Sequence, residues 1–240
     1  MQQLLTGKKR FKEFGEPAKD GELPDGWSKK TLLQCQIKII DGDRGKEYPK
    51  STEFREEGYC LFLSAKNVTK DGFNFSEKQF ISKAKSSKLR KGEVIKEDIV
   101  LTTRGTVGNV AYYQDDLNFG AVRINSGMVV IRNETDELNQ KYLYKLFRSR
   151  LIENQIESMS FGSAQPQLTV GIINSLKIAI PSIDEQVKIA GAIDACESEH
   201  GNLIKTLHIV KSEKKALMQQ LLTGKRRVKV DADEPAVATV

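Results

Sequence analysis

The side chains best suited to acid–base, covalent or metal chemistry are few in this sequence, and their spacing does not assemble a site. His200 and His208 are the only histidines. Eight residues apart on a helical stretch, they fall on adjacent faces rather than forming a nucleophile–base pair or a metal site. His200 lies on an apolar stripe and reads as a packed core or interface residue. Cys35, Cys60 and Cys196 contain no Cys-x-x-Cys pair. Odd in number and widely spread, they fit a reducing compartment without a disulfide framework. An adenine methyltransferase would need a glycine loop for its methyl donor and an Asn/Asp-Pro-Pro-aromatic motif, yet no two prolines are adjacent. Gly105-Thr-Val-Gly108 reads as a turn between strands, and there is no Walker loop. The carboxylates are scattered through lysine-rich text, as on a solvated surface. The expectation is a binding protein with no catalytic residue, no metal and no cofactor of its own. The enzymatic alternative, a nuclease with an unrecognised carboxylate site, would reveal itself by metal-dependent cleavage.

Recognition chemistry is better represented. The net charge of +6 and pI near 9.1 favour an anionic partner without proving one. Reading base edges requires Arg, Lys, Asn, Gln, Ser or Thr on rigidly held loops. Three segments offer them: residues 41–50 with Arg44, Lys46, Tyr48 and Lys50; residues 64–68 with Lys66 and Asn67; and residues 102–106 with Thr103, Arg104 and Thr106. Ser163 and Gln165 belong to a fourth polar stretch, residues 161–168. Each segment also reads as an ordinary polar turn. The run Lys83, Lys85, Lys88, Arg90 and Lys91 is either a phosphate patch or a solvated basic face.

The elements that must hold these loops are announced by a repeat. Residues 1–12, MQQLLTGKKRFK, return at 218–229 as MQQLLTGKRRVK, with ten of twelve positions identical. A spacing of 217 residues is the size of a domain, far beyond the ~20–50 residues of a solenoid unit. The chain is expected to begin where one long helix ends and to finish where the next one does. Residues 1–12 are assigned to that junction, 13–27 to a Gly- and Pro-containing linker, and 28–181 to a β-rich globular domain. Within the domain, short apolar runs such as 59–63, 98–102, 109–113 and 127–132 have strand length and composition. A helix is expected over 138–156 and a last strand over 172–180.

Pro181 ends this region, and Ser182-Ile-Asp-Glu185 has the spacing of a capping box. Residues 182–224 then form one helix of about 60 Å at ~1.5 Å per residue. Its stripe steps by three and four through Ile193, Cys196, His200, Leu203, Leu207, Val210, Lys214, Leu217 and Leu221. A stripe this long calls for a partner helix, or for a fold-back onto its own domain. Gly224 stops it, and residues 225–240 form a basic and then disordered tail. The fold class is α+β: a β-rich globular domain followed by one long helix, whose pairing as an antiparallel coiled coil is implied only by the family resemblance below. No stretch approaches the ~20 apolar residues of a membrane span, and a cytoplasmic location is expected.

Over nearly its whole length the text resembles the specificity subunits of Type I restriction-modification systems. The resemblance lies in KNV (66–68), GFN (72–74), KGEV (91–94), IVLTTRGTVGNV (99–110), GSAQPQL (162–168), IPSIDEQVKIA (180–190) and KKALMQQLLTGK (214–225). It implies a target recognition domain and a spacer helix, double-stranded DNA as ligand, and methylation subunits as partners, with restriction subunits joining them. S-adenosylmethionine is implied for the methylation subunit, which flips its adenine out of the duplex to methylate it. In that family two recognition domains sit at opposite ends of an antiparallel helix pair, whereas this sequence carries one. A homodimer through the long helix would restore the second half and read an inverted repeat, with His200 and Lys214 setting its register. A free-standing dimeric DNA-binding regulator is the alternative, and would need no methylation subunit.

Overall fold

Apolar runs without polar alternation decide the centre of this molecule, because strands buried on both faces have no side to leave polar. The computed structural model describes residues 1–19, 21–114, 119–160 and 167–227. In chain order its helices and strands are α1 (Gln2–Leu5), β1 (Ser28–Thr31), β2 (Lys38–Asp41), β3 (Cys60–Leu63), β4 (Val68–Thr69), β5 (Gly72–Phe73), β6 (Phe80–Ile81), α2 (Lys83–Lys88), β7 (Glu93–Val94), β8 (Ile99–Thr102), β9 (Val110–Tyr112), β10 (Ala121–Ile124), β11 (Met128–Arg132), α3 (Gln140–Phe147), α4 (Arg150–Ser160), α5 (Val170–Ser175), β12 (Lys177–Ile180) and α6 (Ile183–Leu222). They divide into two compact units, Met1–Ile193 and Asp194–Val240.

In the first unit, one four-stranded sheet has the order β6-β3-β10-β7 and a second the order β2-β11-β8-β9. Every pair in them is antiparallel except β3 with β10. Successive side chains of a strand face opposite ways, and the burial sorts accordingly. Leu61 and Leu63 of β3, Val122 and Ile124 of β10, Val100 of β8 and Val130 of β11 share one core between the sheets. Ile99, Leu101, Val129 and Ile131 point the other way, into a core shared with α3, α4 and the start of α6. Cys60 and Phe62 turn to a smaller cluster with Ile81 and Leu89. The result is an α+β stack whose middle strands are covered on both faces.

Two expected elements divide in the structure. The helix expected over 138–156 is two helices, α3 and α4. Ser149 intervenes: its hydroxyl and N–H both donate to Leu146 O, at 2.6 and 2.9 Å, and its own carbonyl accepts from Ile152 and Glu153. The strand expected over 172–180 is α5 followed by β12. Thr169 caps α5 by accepting from Ile172 N at 3.2 Å, so the apolar residues 172–173 sit on a helix, and only Lys177–Ile180 pair, antiparallel with β1.

Half of the expected capping box forms. Ser182 Oγ accepts from Glu185 N at 3.4 Å, but the Glu185 carboxylate does not turn back to its cap. It takes a bidentate pair from Arg10, both bonds 2.9 Å, and a third bond from Trp27 Nε1 at 3.1 Å. Arg10 and Glu185 side chains are 6% and 1% exposed. Trp27, at the end of the polar stretch 13–27, is buried, as is Leu5 of the opening repeat. The first residues of the chain are thereby fastened to the first turn of α6.

Along α6 the burial stops at Ile193. Ile193 belongs to the core of the first unit, which removes it from the stripe expected to face a partner. In the second unit Cys196, His200, Leu203, Leu207, Val210, Lys214, Leu217 and Leu221 are all exposed. So are Ile204, Ile209, Met218 and Leu222, which makes nine large apolar side chains uncovered between 203 and 222. Among the described residues no helix is long and apolar enough to cross a membrane.

Candidate nucleic-acid interface

The loops proposed for DNA contact are gathered by a three-residue turn, Asn125-Ser126-Gly127, that joins β10 to β11. Asn125 Oδ1 accepts from Gly127 N at 2.9 Å, the self-bonding that makes Asn a turn former. Around it, Asn125 N donates to Leu63 O at 3.0 Å, and Gly127 O accepts from Thr103 N and Arg104 N at 2.8 and 3.2 Å. The Arg44 guanidinium donates to Ser126 O at 3.3 Å. Gly42 lies so close that a Cβ there would overlap the Asn125 carbonyl, so only glycine fits. All three loops predicted from sequence therefore leave the sheets beside one turn. That turn was legible as an Asn-x-Gly signal between apolar runs, but its role as a hub was not, because four of its contacts cross more than 20 residues of sequence.

The first loop is held from the other side as well. Asp43 accepts from the backbone N–H groups of Gly45 and Arg90, both at 2.7 Å. These hydrogen bonds hold its carboxyl below the usual carboxylate range. A group with a depressed folded pKa stabilises fully above its unfolded value near 3.9 and loses that contribution as pH falls through the lower one. The tie is therefore intact at neutral pH. It draws Lys88, Arg90 and Lys91 alongside Arg44 and Lys46, around a cleft of about 650 Å³. Arg123, buried within the domain, donates to Lys91 O at 2.9 Å and to Ser86 Oγ at 3.0 Å, which steadies the same basic segment from below. The rest of the basic run serves elsewhere. Lys83 lies over the Tyr59 ring, 5.4 Å from its centroid, and Lys85 pairs with Glu53 at 3.1 Å.

Arg104 and Thr106 are exposed on the third loop, beside Gly105 at φ +74°. With the Gln167 amide oriented oxygen-first, Arg104 donates to it twice, at 2.8 and 3.1 Å. A guanidinium held in its plane by an amide is pre-set for bidentate contact with a base edge or phosphate. Thr103, by contrast, is buried: its N–H donates to Gly127 O and its carbonyl accepts from Leu168 N at 3.1 Å.

Two further candidates are used internally. Asn67 is 4% exposed; its oxygen accepts from Ser64 N and Oγ, and its amide donates to Asn74 O and Glu77 O. Every hydrogen-bonding position that could read a base is spent on the loop itself, so Asn67 is a structural residue here. Tyr48 is half-buried, edge-on to Phe62 at 5.7 Å. Lys50 is exposed, and Lys66 is exposed and paired with Glu77 at 3.1 Å. Ser163 and Gln165 lie outside the described residues. No group of three or more His, Cys, Asp or Glu that could hold a metal occurs among the described residues.

Comparison with known proteins follows the same lines. Residues 24–209 match the family model of the Type I restriction modification DNA specificity domain. The MjaVIII Type I restriction enzyme specificity subunit of Methanocaldococcus jannaschii is 24% identical over 237 residues, covering 95% of this chain and 53% of that protein. The StySPI specificity subunit of Salmonella potsdam is 24% identical over 216 residues, 85% of this chain and 44% of its own. The solved HsdS subunit from Thermoanaerobacter tengcongensis superposes with a TM-score of 0.59 at 19% identity, over 85% of this chain and 46% of that one. The chain thus spans about half the length of the curated relatives it matches.

Proposed function

The chain belongs to the family of Type I restriction modification DNA specificity domains, and from that premise we propose that it reads one half of a bipartite DNA target on behalf of other subunits. The observation that carries this reading is the loop surface around Asn125–Gly127, where Arg44, Lys46, Arg90, Lys91, Arg104 and Thr106 stand together on a rigid two-sheet base. Arginine and threonine at loop tips suit base edges, and lysines beside them suit phosphates. The chain itself does no chemistry in this reading. Methylation subunits dock on it and bring S-adenosylmethionine to a flipped adenine, and restriction subunits join the same assembly.

The second half of the target is read by a second copy. The uncovered apolar side chains of 203–222 support this, since an exposed face of that size marks an interaction surface. Two copies related by a two-fold axis would read two inverted copies of one short sequence across a fixed gap.

Mapping methylated adenines in cells that carry this chain with a methylation subunit tests the reading. Methylation in inverted half-sites at constant spacing is expected; an asymmetric pair of half-sites overturns the two-copy part. Tight specific binding by the purified chain, with no methylation in its presence, would instead point to a regulator. The residue assignment has its own test. Per half-site, Arg104→Ala should lower specific affinity about five- to 100-fold and relax one base position, while Lys46→Ala or Arg90→Ala should weaken all sequences alike and reduce the salt slope by about one. Equal effects of all three on specific and random DNA would remove Arg104 from the reading role.

A further inference from the structure

The two copies of the repeat adopt one conformation and meet opposite fates. In the first, Thr6 N donates to Gln2 O, Gly7 N to Leu4 O and Lys9 N to Gln3 O. In the second, Thr223 N donates to Gln219 O, Gly224 N to Leu221 O and Arg226 N to Gln220 O, the same three bonds shifted by 217 positions. Both glycines have φ +70°, and both threonine hydroxyls bond back one turn. Yet Leu5 is 0% exposed in the core of its unit, while its counterpart Leu222 is 82% exposed. Gly7 packs where a Cβ would overlap Pro24, while Gly224 has nothing within 4 Å. Arg10 is bound to Glu185, while its counterpart Arg227 is exposed. A segment of one shape is present twice, seated in the first copy and exposed in the second.

The helix stripe is compatible with a second copy as the partner. In an antiparallel self-pair, residues facing one another have a constant sum of positions. A centre at Leu207, a sum of 414, sets His200 against Lys214 and Leu207 against itself, and brings Leu203 level with Val210 to within one position. A shift to Val210 would bring Lys214 level with Leu207 and His200 level with Leu221 to within one position, burying unpaired charge against leucine. The Leu207-centred register also brings the residues after Leu221 toward the start of the other helix. There the first repeat sits, with Arg10 on Glu185 and Glu13 on Lys188.

Building on the two-copy reading above, we propose that Met218–Arg227 is a docking segment for the seat that Met1–Arg10 fills, taken on a second copy of this chain. Arg227 of one protomer then meets the partner's Glu185, and the two-fold axis falls at Leu207. The protomer's own first segment is the occupant of the seat in the free chain and the competitor in the pair. Because the contacts exchanged are nearly identical, the exchange itself is close to neutral, and helix pairing favours it only by holding Met218–Arg227 beside the seat at a high effective concentration. The tethered first segment keeps the advantage of its high effective concentration, so it shields the apolar seat until a partner arrives.

Two measurements test this. In a chain carrying Cys196→Ser, Leu207→Cys should form a disulfide-linked dimer under mild oxidation faster than Leu203→Cys or Val210→Cys alone, while the last two mixed together should cross-link well. A labelled peptide of residues 215–229 should bind the Gly7→Ala chain, whose own segment is forced off Pro24, at least about tenfold more tightly than the unaltered chain. The same peptide with Gly224→Ala or Arg227→Glu should lose about tenfold or more. If Gly7→Ala does not fold, a chain lacking residues 1–11 takes its place, and the cross-linking uses the full chain in any case. A chain that sediments only as a monomer overturns the two-copy reading and this proposal with it. A dimer in which Val210→Cys self-links fastest, or a folded Gly7→Ala chain that ignores the peptide, overturns the seat exchange alone.

Discussion

Leu207→Glu together with Leu221→Glu is expected to leave the protein monomeric at micromolar concentration and to lower its affinity for its specific target by a thousandfold or more. Both residues are exposed in the single chain, so the substitutions should leave its helix content and the melting of the first unit unchanged. The cost falls on the pair. Burying one leucine contributes about 1.5–3 kcal/mol, and two-fold symmetry makes each substitution count twice, so roughly 6–12 kcal/mol of association is lost. Four carboxylates brought toward an apolar seam would add to that. In the two-copy reading proposed above, a monomer would keep only half of the phosphate and base contacts. Sedimentation and a DNA titration at fixed salt measure the two effects. An unaltered chain that is already monomeric, or a doubly substituted chain that still dimerises, removes the stripe as the interface.

The second large effect lies at the other end of the same helix. Glu185→Gln should lower the melting temperature by about 6–20 °C, because removing one member of a buried pair costs about 3–5 kcal/mol and each kcal/mol moves a domain of this size by ~2–4 °C. The Arg10 guanidinium would be left nearly buried against a neutral amide, and Trp27 Nε1 would keep only a weaker acceptor. The loss comes from the stranded charge, not from the absence of the ion pair. Replacing both partners, as in Arg10→Met with Glu185→Leu, should therefore recover much of the stability that Glu185→Gln loses. A melting point within about 2 °C of the unaltered protein for Glu185→Gln would show that water reaches this pair and screens it.

Sequence reading reached the fold through patterns with a short physical range. The continuous apolar runs of β3, β8 and β11 mark strands covered on both sides, and the helix from Ile183 to Leu222 follows from Pro181, Ser182 and an uninterrupted stripe. Misplaced elements were those decided by one local hydrogen bond. Ser149 breaks a stretch that periodicity alone carries through from α3 to α4, and Thr169 turns two isoleucines into a helix where composition favoured a strand.

The candidate site divides in the same way. Arg44 and Arg104 stand exposed in loops, as their neighbouring glycines suggested, but their bonds to Ser126 and Gln167 were not legible in the sequence. Asn67 was misjudged because an amide in a loop looks the same in sequence whether it faces solvent or satisfies its own turn. Arg123 was not singled out, since only the packing of α2 against β10 gives it partners in Ser86 and Lys91.

By itself, the sequence determined that this chain holds one β-rich unit, one long helix and two copies of a helix-ending segment. These depend on composition, periodicity and identity along the chain, which are local properties. Only the tertiary structure decided what the two copies mean. Leu5 and Leu222 are the same residue in the same turn, and their difference is whether the core that contains Trp27 stands around them. Burial depends on which distant residues arrive at a place, and no local pattern carries that information.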